Sequence, residues 1–226
     1  MSIKSTVSGV KSTPSTTRIK LDKRMWRKVL VFGASGAWGW LDPEGGGWVD
    51  RLKRFYWTGE RGVPMIYNLS ISGSTTSSTL KRVENEIRPR KPDVVVFALG
   101  TNDAHYKESR ENFFVEFEEF KQNLKTLVTI AKKFNVNVVF VGPTRVDEEK
   151  TKPWVHAEDE YWENKDIERY SDAIKRFCKE NNTPFIELID ALDKNDLHDG
   201  LHPNIEGHKK IFEKVKDELE KLGYIQ

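Results

Sequence analysis

Cysteine and long apolar segments are nearly absent from this chain of 226 residues. With one cysteine, Cys178, the chain cannot form an intramolecular disulfide, which is compatible with a reducing compartment. The charged, helical stretch around Cys178 predicts a half-buried structural thiol rather than a catalytic one. No segment approaches the roughly 20 apolar residues that span a bilayer, and residues 1–24 contain no apolar segment typical of a signal peptide. We therefore expect a cytoplasmic protein without a membrane span.

An excess of one charge is also absent. Charged residues make up 32% of the chain, yet the formal net charge is only +2. Lysine and arginine alternate with acidic residues along helical stretches, which is typical of a solvated helix face rather than of a nucleic-acid interface. The composition therefore predicts no nucleic-acid partner. The length suffices for one large domain with a substantial core.

The sequence pattern divides the chain into a leader and one domain. Residues 1–24 are rich in Ser, Thr and Lys and predict a flexible leader, whereas residues 25–226 predict a single domain. Strands are predicted at 28–32, 65–71, 93–99, 137–141 and 185–189, and helices at 48–57, 76–88, 110–134, 164–181 and 205–222. Apolar strands that alternate with helices predict a three-layer α/β/α sandwich around a five-stranded parallel sheet.

Polar residues capable of acyl transfer follow the predicted strands. Ligands of such folds bind at the carboxyl ends of the strands. Ser35 follows the first strand, and Asp199 and His202 lie in the loop before the last helix. Ser35 is the candidate nucleophile and His202 the candidate base. Asp199 would hold the imidazole in the required tautomer if the turn at residues 199–202 folds back.

Acyl transfer also needs donors for the oxyanion that develops in the transition state. The candidates are the N–H of Ser35, the N–H of Gly73 and the side-chain amide of Asn102. Gly73 follows the second strand and allows close approach of the backbone. Asn102 follows the third strand, and its amide donates without carrying a charge or titrating.

These residues occur in blocks that resemble a known family. The first three blocks are Gly33-Ala34-Ser35, residues 68–73, which begin with Asn68 and end with Gly73, and Gly100-Thr101-Asn102-Asp103. The last block is residues 199–208, which contains Asp199, His202-Pro203-Asn204 and Gly207-His208. In this order they resemble the SGNH, or GDSL-type, hydrolases, a family of esterases and acylhydrolases. The resemblance implies a serine esterase that cleaves small-molecule esters through an acyl-enzyme. The family has Asp before the serine where this chain has Ala34, which predicts an active enzyme of reduced efficiency.

A short-chain dehydrogenase is the main alternative. Gly33, Gly36 and Gly39 resemble the glycine-rich turn of that family, and Tyr161 and Lys165 resemble its Tyr-x-x-x-Lys pair. Two observations count against this alternative. The catalytic Ser or Thr that the family would have shortly before Tyr161 is missing, and the second strand does not end in an acidic residue that could bind a ribose hydroxyl of the cofactor. The dehydrogenase alternative also gives no role to the residues of the hydrolase blocks.

Aromatic residues suggest how a substrate could be held. Trp38, His105 and Trp154 are candidate substrate-binding residues, and the loop 144–165 is the candidate pocket wall. A third hypothesis is a carbohydrate- or acyl-binding module with a decayed site, based on Trp38, Trp40, Trp48, Trp154 and Trp162. Core and edge packing is the expected role of Trp48 and Trp57. Because no lid insertion is evident, we expect a shallow site for short acyl groups.

Metal and cofactor sites are not predicted. A metal site could be suspected at His198 and His202 together with Asp196 and Asp199. It is not predicted, because no further cluster of potential ligands accompanies these residues and their spacing is not the rigid helical spacing of a zinc motif. A structural role is expected for His208, on a helix surface or in support of the site. His156 is expected in an exposed loop.

Overall fold

A computed structural model describes residues 27–58 and 63–225. The strands are, in chain order, β1 Lys28–Gly33, β2 Met65–Asn68, β3 Val94–Ala98, β4 Tyr106–Lys107, β5 Asn137–Val141, β6 Glu160–Tyr161 and β7 Phe185–Ile186. Five of them form a parallel sheet in the order β2-β1-β3-β5-β7, and β4 pairs with β6 antiparallel. The predicted leader, residues 1–24, lies outside the described residues.

Helices cover both faces of the sheet. They are α1 Ser35–Trp38, α2 Gly47–Tyr56, α3 Thr76–Leu80, α4 Val83–Arg90, α5 Phe117–Lys133, α6 Glu148–Thr151, α7 Asn164–Glu180 and α8 Ile205–Lys221, with a 3-10 turn at Lys194–Asp196. Val29 and Val31 of β1 pack with α2 and α8, whereas Leu30 and Phe32 pack with α4, α5 and α7. Alternate residues of one strand thus feed two buried cores. The predicted three-layer sandwich and five-stranded parallel sheet are confirmed.

The helix predicted at 76–88 is divided into α3 and α4. Thr75 starts α3 through a capping box with Ser78. The chain then turns at Arg82, whose guanidinium lies over the Phe32 ring at 5.1 Å. Separate helices let α3 pack against α5 while α4 contributes Val83 to the core. The second helix extends through Pro89 to Arg90.

The helix predicted at 110–134 begins only at Phe117. The Arg110 guanidinium makes ion pairs with Glu163 and Asp166, and Phe113 forms an antiparallel bridge with Tyr106. These long-range contacts hold the preceding segment in a non-helical path. The predicted strands at 65–71 and 185–189 are likewise shorter in the structure, where β2 ends at Asn68 and β7 at Ile186.

Two expectations from the amino-acid composition concern Cys178 and membrane-spanning helices. Cys178 is fully buried on α7 rather than half-buried, and this burial raises the pKa of its thiol to about 12. No helix in the described ranges is long and apolar enough to cross a membrane.

Candidate active site

The turn that carries Ser35 follows directly from β1. Ala34 has an extended backbone, and Ser35 is the first residue of the short helix α1. A side chain at Gly33 would place its Cβ 2.4 Å from the Ala37 Cβ, so glycine is needed for α1 to fold straight back over the strand. The helix therefore presents Ser35 at the carboxyl end of the sheet, where its side chain is largely buried.

Asp199 and His202 are brought together by the tight turn before α8. Asp199 Oδ1 accepts hydrogen bonds from the backbone N–H groups of Leu201 (3.1 Å) and His202 (2.8 Å). Gly200 has φ 86°, and a Cβ there would lie 2.6 Å from the Lys150 Cβ. Glycine at this position thus allows both the left-handed backbone and the close approach of the loop after β5.

Three side chains form a continuous hydrogen-bonded series. His202 Nδ1 lies 2.8 Å from Asp199 Oδ2, and His202 Nε2 lies 2.9 Å from Ser35 Oγ. Because a carboxylate only accepts, Nδ1 carries the proton and Nε2 is left to accept from the serine hydroxyl. The sequence-predicted nucleophile, base and orienting acid thus lie in the order that proton transfer requires.

Asp199 is held in its charged form. Burial acts to raise the pKa of this carboxyl, but hydrogen bonds from the His202 ring and from backbone N–H groups outweigh it and lower the pKa to about 2. The carboxylate can therefore stabilise a positive charge on the His202 ring at any pH near neutral.

Asn102 faces the same small cavity as Ser35 and His202. This cavity has a volume of about 80 Å³. One N–H of the Asn102 amide donates to the Ser74 carbonyl at 3.0 Å, which fixes the orientation of the amide and leaves its second N–H as a donor. The N–H of Ser35, at the start of α1, has no acceptor within the helix.

Gly73 is the predicted oxyanion residue whose contact with the site is indirect. It lies in an exposed turn with φ 77°, closed by a hydrogen bond from Ser74 N to Ile71 O. Its neighbour Ser74 is the hydrogen-bond partner of Asn102. Gly73 does not line the small cavity that Ser35, His202 and Asn102 share.

The sequence of the chain matches a known family over most of its length. A family model described as the GDSL-like Lipase/Acylhydrolase family matches residues 31–210. The chain belongs to this family. The structure is similar to that of a lipase/acylhydrolase from Enterococcus faecalis, with a TM-score of 0.70 and 25% identity over 88% of this chain and 97% of that one.

Two curated relatives of this GDSL-like hydrolase are esterases. An isoamyl acetate-hydrolyzing esterase of Saccharomyces cerevisiae is 29% identical over 172 residues, which are 70% of this chain and 68% of that protein. An acetylxylan esterase of Geobacillus stearothermophilus is 23% identical over 161 residues, which are 66% of this chain and 68% of that protein. The family and these relatives identify the chain as a hydrolase of ester bonds.

The dehydrogenase alternative is not favoured. Tyr161 stacks on Tyr106 with ring centroids 5.1 Å apart, and its hydroxyl donates to Glu158 O. Lys165 Nζ lies 3.6 Å from a Glu163 carboxylate oxygen. A Cβ at Gly39 would lie 2.0 Å from Gly46 O, so this glycine serves packing within the GDSL-like domain. The glycine-rich turn is thus explained without a dinucleotide.

Tryptophans flank the candidate base of the GDSL-like hydrolase. The ring centroids of Trp40 and Trp154 lie 6.3 and 6.1 Å from that of His202. Trp38 is half-exposed and packs on Trp40 at 5.8 Å. Trp154 and Trp38 therefore lie around the site, and their role in substrate binding stays a prediction. Trp48 is buried in the core, whereas Trp57 is 74% exposed and lies at the surface, where Lys53 Nζ is 5.6 Å from its ring centroid.

His105 does not line the small cavity at the site. Its buried ring lies parallel to the Trp162 ring at 3.7 Å and stacks on Phe114 at 4.0 Å. Burial lowers the pKa of His105 to about 3, so the ring is neutral. The structure thus makes His105 a core residue, and the prediction that it contacts substrate is not supported by its position.

Two other histidines lie near the site. Of the two places expected for His208, the structure has it fully buried in contact with the site segment rather than on a helix surface, and its Nε2 donates to the Trp40 carbonyl at 3.0 Å. This contact holds the segment that presents Trp40 to His202, and the sequence offers no local signal for it. His156 is exposed as predicted, with Nε2 4.0 Å from Asp199 Oδ2. In the described ranges, no cluster of His, Cys, Asp and Glu could hold a metal ion.

Asp103, next to the oxyanion candidate Asn102, is a buried acid that the sequence did not single out. Its Oδ1 accepts from Thr76 N (2.9 Å) and Thr76 Oγ1 (2.5 Å), and Asn123 donates to the same threonine hydroxyl. Its Oδ2 has no hydrogen-bond partner among the described residues. Burial raises the pKa of Asp103 from 3.8 to about 6, although the hydrogen bonds from Thr76 act to lower it.

This raised pKa predicts a pH-dependent stability. The folded protein binds the Asp103 proton more tightly than the unfolded chain, so the stabilisation is complete below pH 3.8 and is lost as the pH rises through 6. Asp103→Asn removes this titration. Relative to wild type, the free energy of unfolding of Asp103→Asn should rise by about 2–3 kcal/mol between pH 3 and pH 8. Urea unfolding at several pH values measures the difference, with exposed Asp172→Asn as control; parallel curves for Asp103→Asn and wild type would contradict it.

Proposed function

We propose that this chain hydrolyses esters of short carboxylic acids through an acyl-enzyme on Ser35. The observation that carries the proposal is the series Ser35 Oγ, His202 Nε2, His202 Nδ1 and Asp199 Oδ2, with contacts of 2.9 and 2.8 Å. A hydroxyl, an imidazole and a charged carboxylate in this order form the minimal machinery for nucleophilic acyl transfer.

The reaction proceeds in two halves. Ser35 Oγ attacks the ester carbonyl while His202 Nε2 takes its proton, and the imidazolium then protonates the departing alcohol as the carbon–oxygen bond breaks. Water attacks the acyl-enzyme in the same way and releases the acid with Ser35 restored. The N–H of Ser35 and the free N–H of Asn102, both at the small cavity, hold the oxyanion in both halves.

The size of the cavity supports a short acyl group. The space lined by Ser35, Asn102 and His202 is about 80 Å³. This is far below the roughly 300–1,000 Å³ of sites that enclose larger ligands. Both curated relatives are named for acetate esters, isoamyl acetate and acetylxylan. Acetyl and butyryl groups are therefore the expected acyl groups.

A series of p-nitrophenyl esters from acetate to dodecanoate tests this proposal, near pH 8 and without added metal or nucleotide. We expect kcat/KM for acetate and butyrate to exceed that for octanoate by about tenfold or more, because a chain that does not fit loses its binding energy in the transition state. A preference for long acyl chains would contradict the acyl specificity. Failure to hydrolyse any ester would contradict the proposed function itself.

Ala34→Asp tests whether the residue before the nucleophile limits the rate. Ala34 is the N-cap of α1 and makes no side-chain hydrogen bond there. An Asp carboxylate would accept from an N–H of the first turn and stabilise the turn that presents Ser35. We expect a rise in kcat/KM of about two- to tenfold, because a cap that holds this turn keeps Ser35 Oγ in the geometry of attack. Ala34→Asn, which caps without a charge, separates the capping effect from the electrostatic one. An unchanged or lower kcat/KM would contradict the prediction.

A further inference from the structure

Asp103 is a fully buried acid beside the oxyanion donor Asn102, and neither half of the proposed reaction uses it. Its Oδ1 accepts two hydrogen bonds from Thr76, whereas its Oδ2 has no hydrogen-bond partner among the described residues. A buried carboxylate with one unpartnered oxygen costs free energy, and an apolar side chain would fill the same space without that cost. The contribution of Asp103 therefore lies in the contacts of Oδ1 rather than in packing.

Two hydrogen bonds join the loop after β3 to the loop after β2. Asn102 Nδ2 donates to Ser74 O at 3.0 Å, and Thr76 N donates to Asp103 Oδ1 at 2.9 Å. Both bonds are buried, so water does not compete for their partners. Because adjacent residues of one loop contact residues only two apart in the other, the two bonds together fix both the distance between the loops and their relative rotation.

The Thr76 hydroxyl connects this pair of loops to helix α5. Thr76 Oγ1 donates to Asp103 Oδ1 at 2.5 Å and accepts from Asn123 Nδ2 at 3.0 Å. Asn123 lies in the middle of α5, which is 17 residues long and packs its buried side chains into the core. Asp103 therefore holds Thr76 through two donors, and a rigid helix supports the same threonine from the other side.

The direction of the Asn102 amide depends on these contacts. One of its N–H groups donates to Ser74 O, so the direction of the second follows the position of the Ser74 carbonyl. In the proposed reaction the second N–H donates to the oxyanion, which requires a distance of about 2.7–3.1 Å. A displacement of Ser74 by about an ångström would therefore weaken the stabilisation of the transition state.

We propose that Asp103 is a positioning residue of the oxyanion hole. It holds Thr76, which fixes the Ser74 carbonyl two residues earlier, and the Ser74 carbonyl in turn orients the amide of Asn102. This inference rests on the proposed function. Asp103 does not line the small cavity, so it acts through Asn102 and does not touch the substrate.

A double-mutant cycle on the hydrolysis of p-nitrophenyl acetate at pH 8 tests the proposal. Asn102→Ala should lower kcat by about 100- to 1000-fold, because one donor to the oxyanion is lost. Asp103→Ala should lower kcat by about 10- to 100-fold and change KM less than about twofold, because the amide is no longer held in direction. In the Asn102→Ala background, Asp103→Ala should lower kcat less than about twofold further, since no amide is left to position.

Equal factors for Asp103→Ala in the two backgrounds would overturn the proposal and leave the proposed function intact. Absence of ester hydrolysis by the wild type would overturn both. Asp166→Ala is the matched control, because Asp166 is also a buried acid, paired with Arg110 at 2.6 Å, but does not line the cavity. It should change kcat less than about twofold. A loss of kcat as large as that of Asp103→Ala would assign both effects to stability and overturn the proposal.

Asp103→Asn separates positioning from charge. The side-chain oxygen of an asparagine can still accept from Thr76 N, so kcat should stay within about threefold of wild type. A loss of kcat as large as that of Asp103→Ala would contradict the positioning role.

Thr76→Val covers the case in which Asp103→Ala does not fold. It keeps the backbone N–H and the shape of the side chain but removes the hydroxyl between Asp103 and Asn123. We expect kcat to fall about three- to tenfold in the wild-type background and less than about twofold in Asn102→Ala. Thr79→Val is its control, since Thr79 is also a fully buried threonine of α3 and its hydroxyl has no partner among the described residues. Equal effects of the two substitutions on kcat would overturn the proposal.

Discussion

Ser35→Ala should reduce kcat for p-nitrophenyl acetate by about five orders of magnitude. The substitution removes the atom that we propose forms the acyl-enzyme and leaves His202 Nε2 without its partner at 2.9 Å. The remaining activity would come from the oxyanion donors and from binding alone. KM should change little, because the small cavity keeps its other walls.

The fold should tolerate this change. Alanine is smaller than serine and favours a helix, and Ser35 begins α1. Thermal unfolding of Ser35→Ala should therefore stay close to that of wild type, so a loss of activity can be assigned to chemistry.

Ser72→Ala is the control for Ser35→Ala, because Ser72 is an exposed serine that also follows a strand end. It should retain full activity. A fluorophosphonate should label wild type on the peptide that contains Ser35 and should fail to label Ser35→Ala. If Ser35→Ala kept more than about a tenth of the wild-type kcat, Ser35 would not be the nucleophile.

The positions of the site residues were predictable because parallel sheets place their carboxyl ends at one edge. Ser35, Asn102 and His202 are far apart in sequence, yet each follows or adjoins an element whose type is evident from apolar runs and turn residues. The topology then brings them to one small cavity.

Features decided by long-range contacts were not predictable. His105 stacks on Trp162, and Arg110 delays the start of α5 through ion pairs with Glu163. In each case the partner lies more than 50 residues away in the sequence, as the two residue numbers show. Local helix propensity therefore does not predict the contact.

The second large effect is expected from Asp199→Asn, which should lower kcat by about three to four orders of magnitude. The carboxylate accepts a hydrogen bond from His202 Nδ1 at 2.8 Å and thereby keeps the proton off Nε2. An amide can present its NH₂ group to Nδ1 instead, which favours the tautomer with the proton on Nε2. In that tautomer His202 cannot accept the proton of Ser35.

Asp196→Asn makes the same chemical change in a neighbouring buried acid. Asp196 Oδ2 accepts from Lys210 Nζ at 2.6 Å and from the Asp193 N–H at 2.8 Å. Its substitution should leave kcat within about threefold of wild type, since an Asn oxygen can still accept from Asp193 N and only the ion pair with Lys210 is lost. Similar losses in the two variants would mean that Asp199 acts through the fold rather than through the His202 tautomer.

Asp199→Asn should also change how stability depends on pH. The folded pKa of Asp199 is lowered from 3.8 to about 2, so its contribution is complete above pH 3.8 and is lost as the pH falls through 2. The two-unit shift corresponds to about 2–3 kcal/mol. Urea unfolding should therefore show wild type more stable than Asp199→Asn at pH 6, with the difference shrinking towards pH 2. The difference in stability reports the charge of the Asp199 carboxylate, whereas the loss of kcat reports the tautomer of His202. If Asp199→Asn kept the stability of wild type and still lost kcat, the role of Asp199 would be in proton transfer alone.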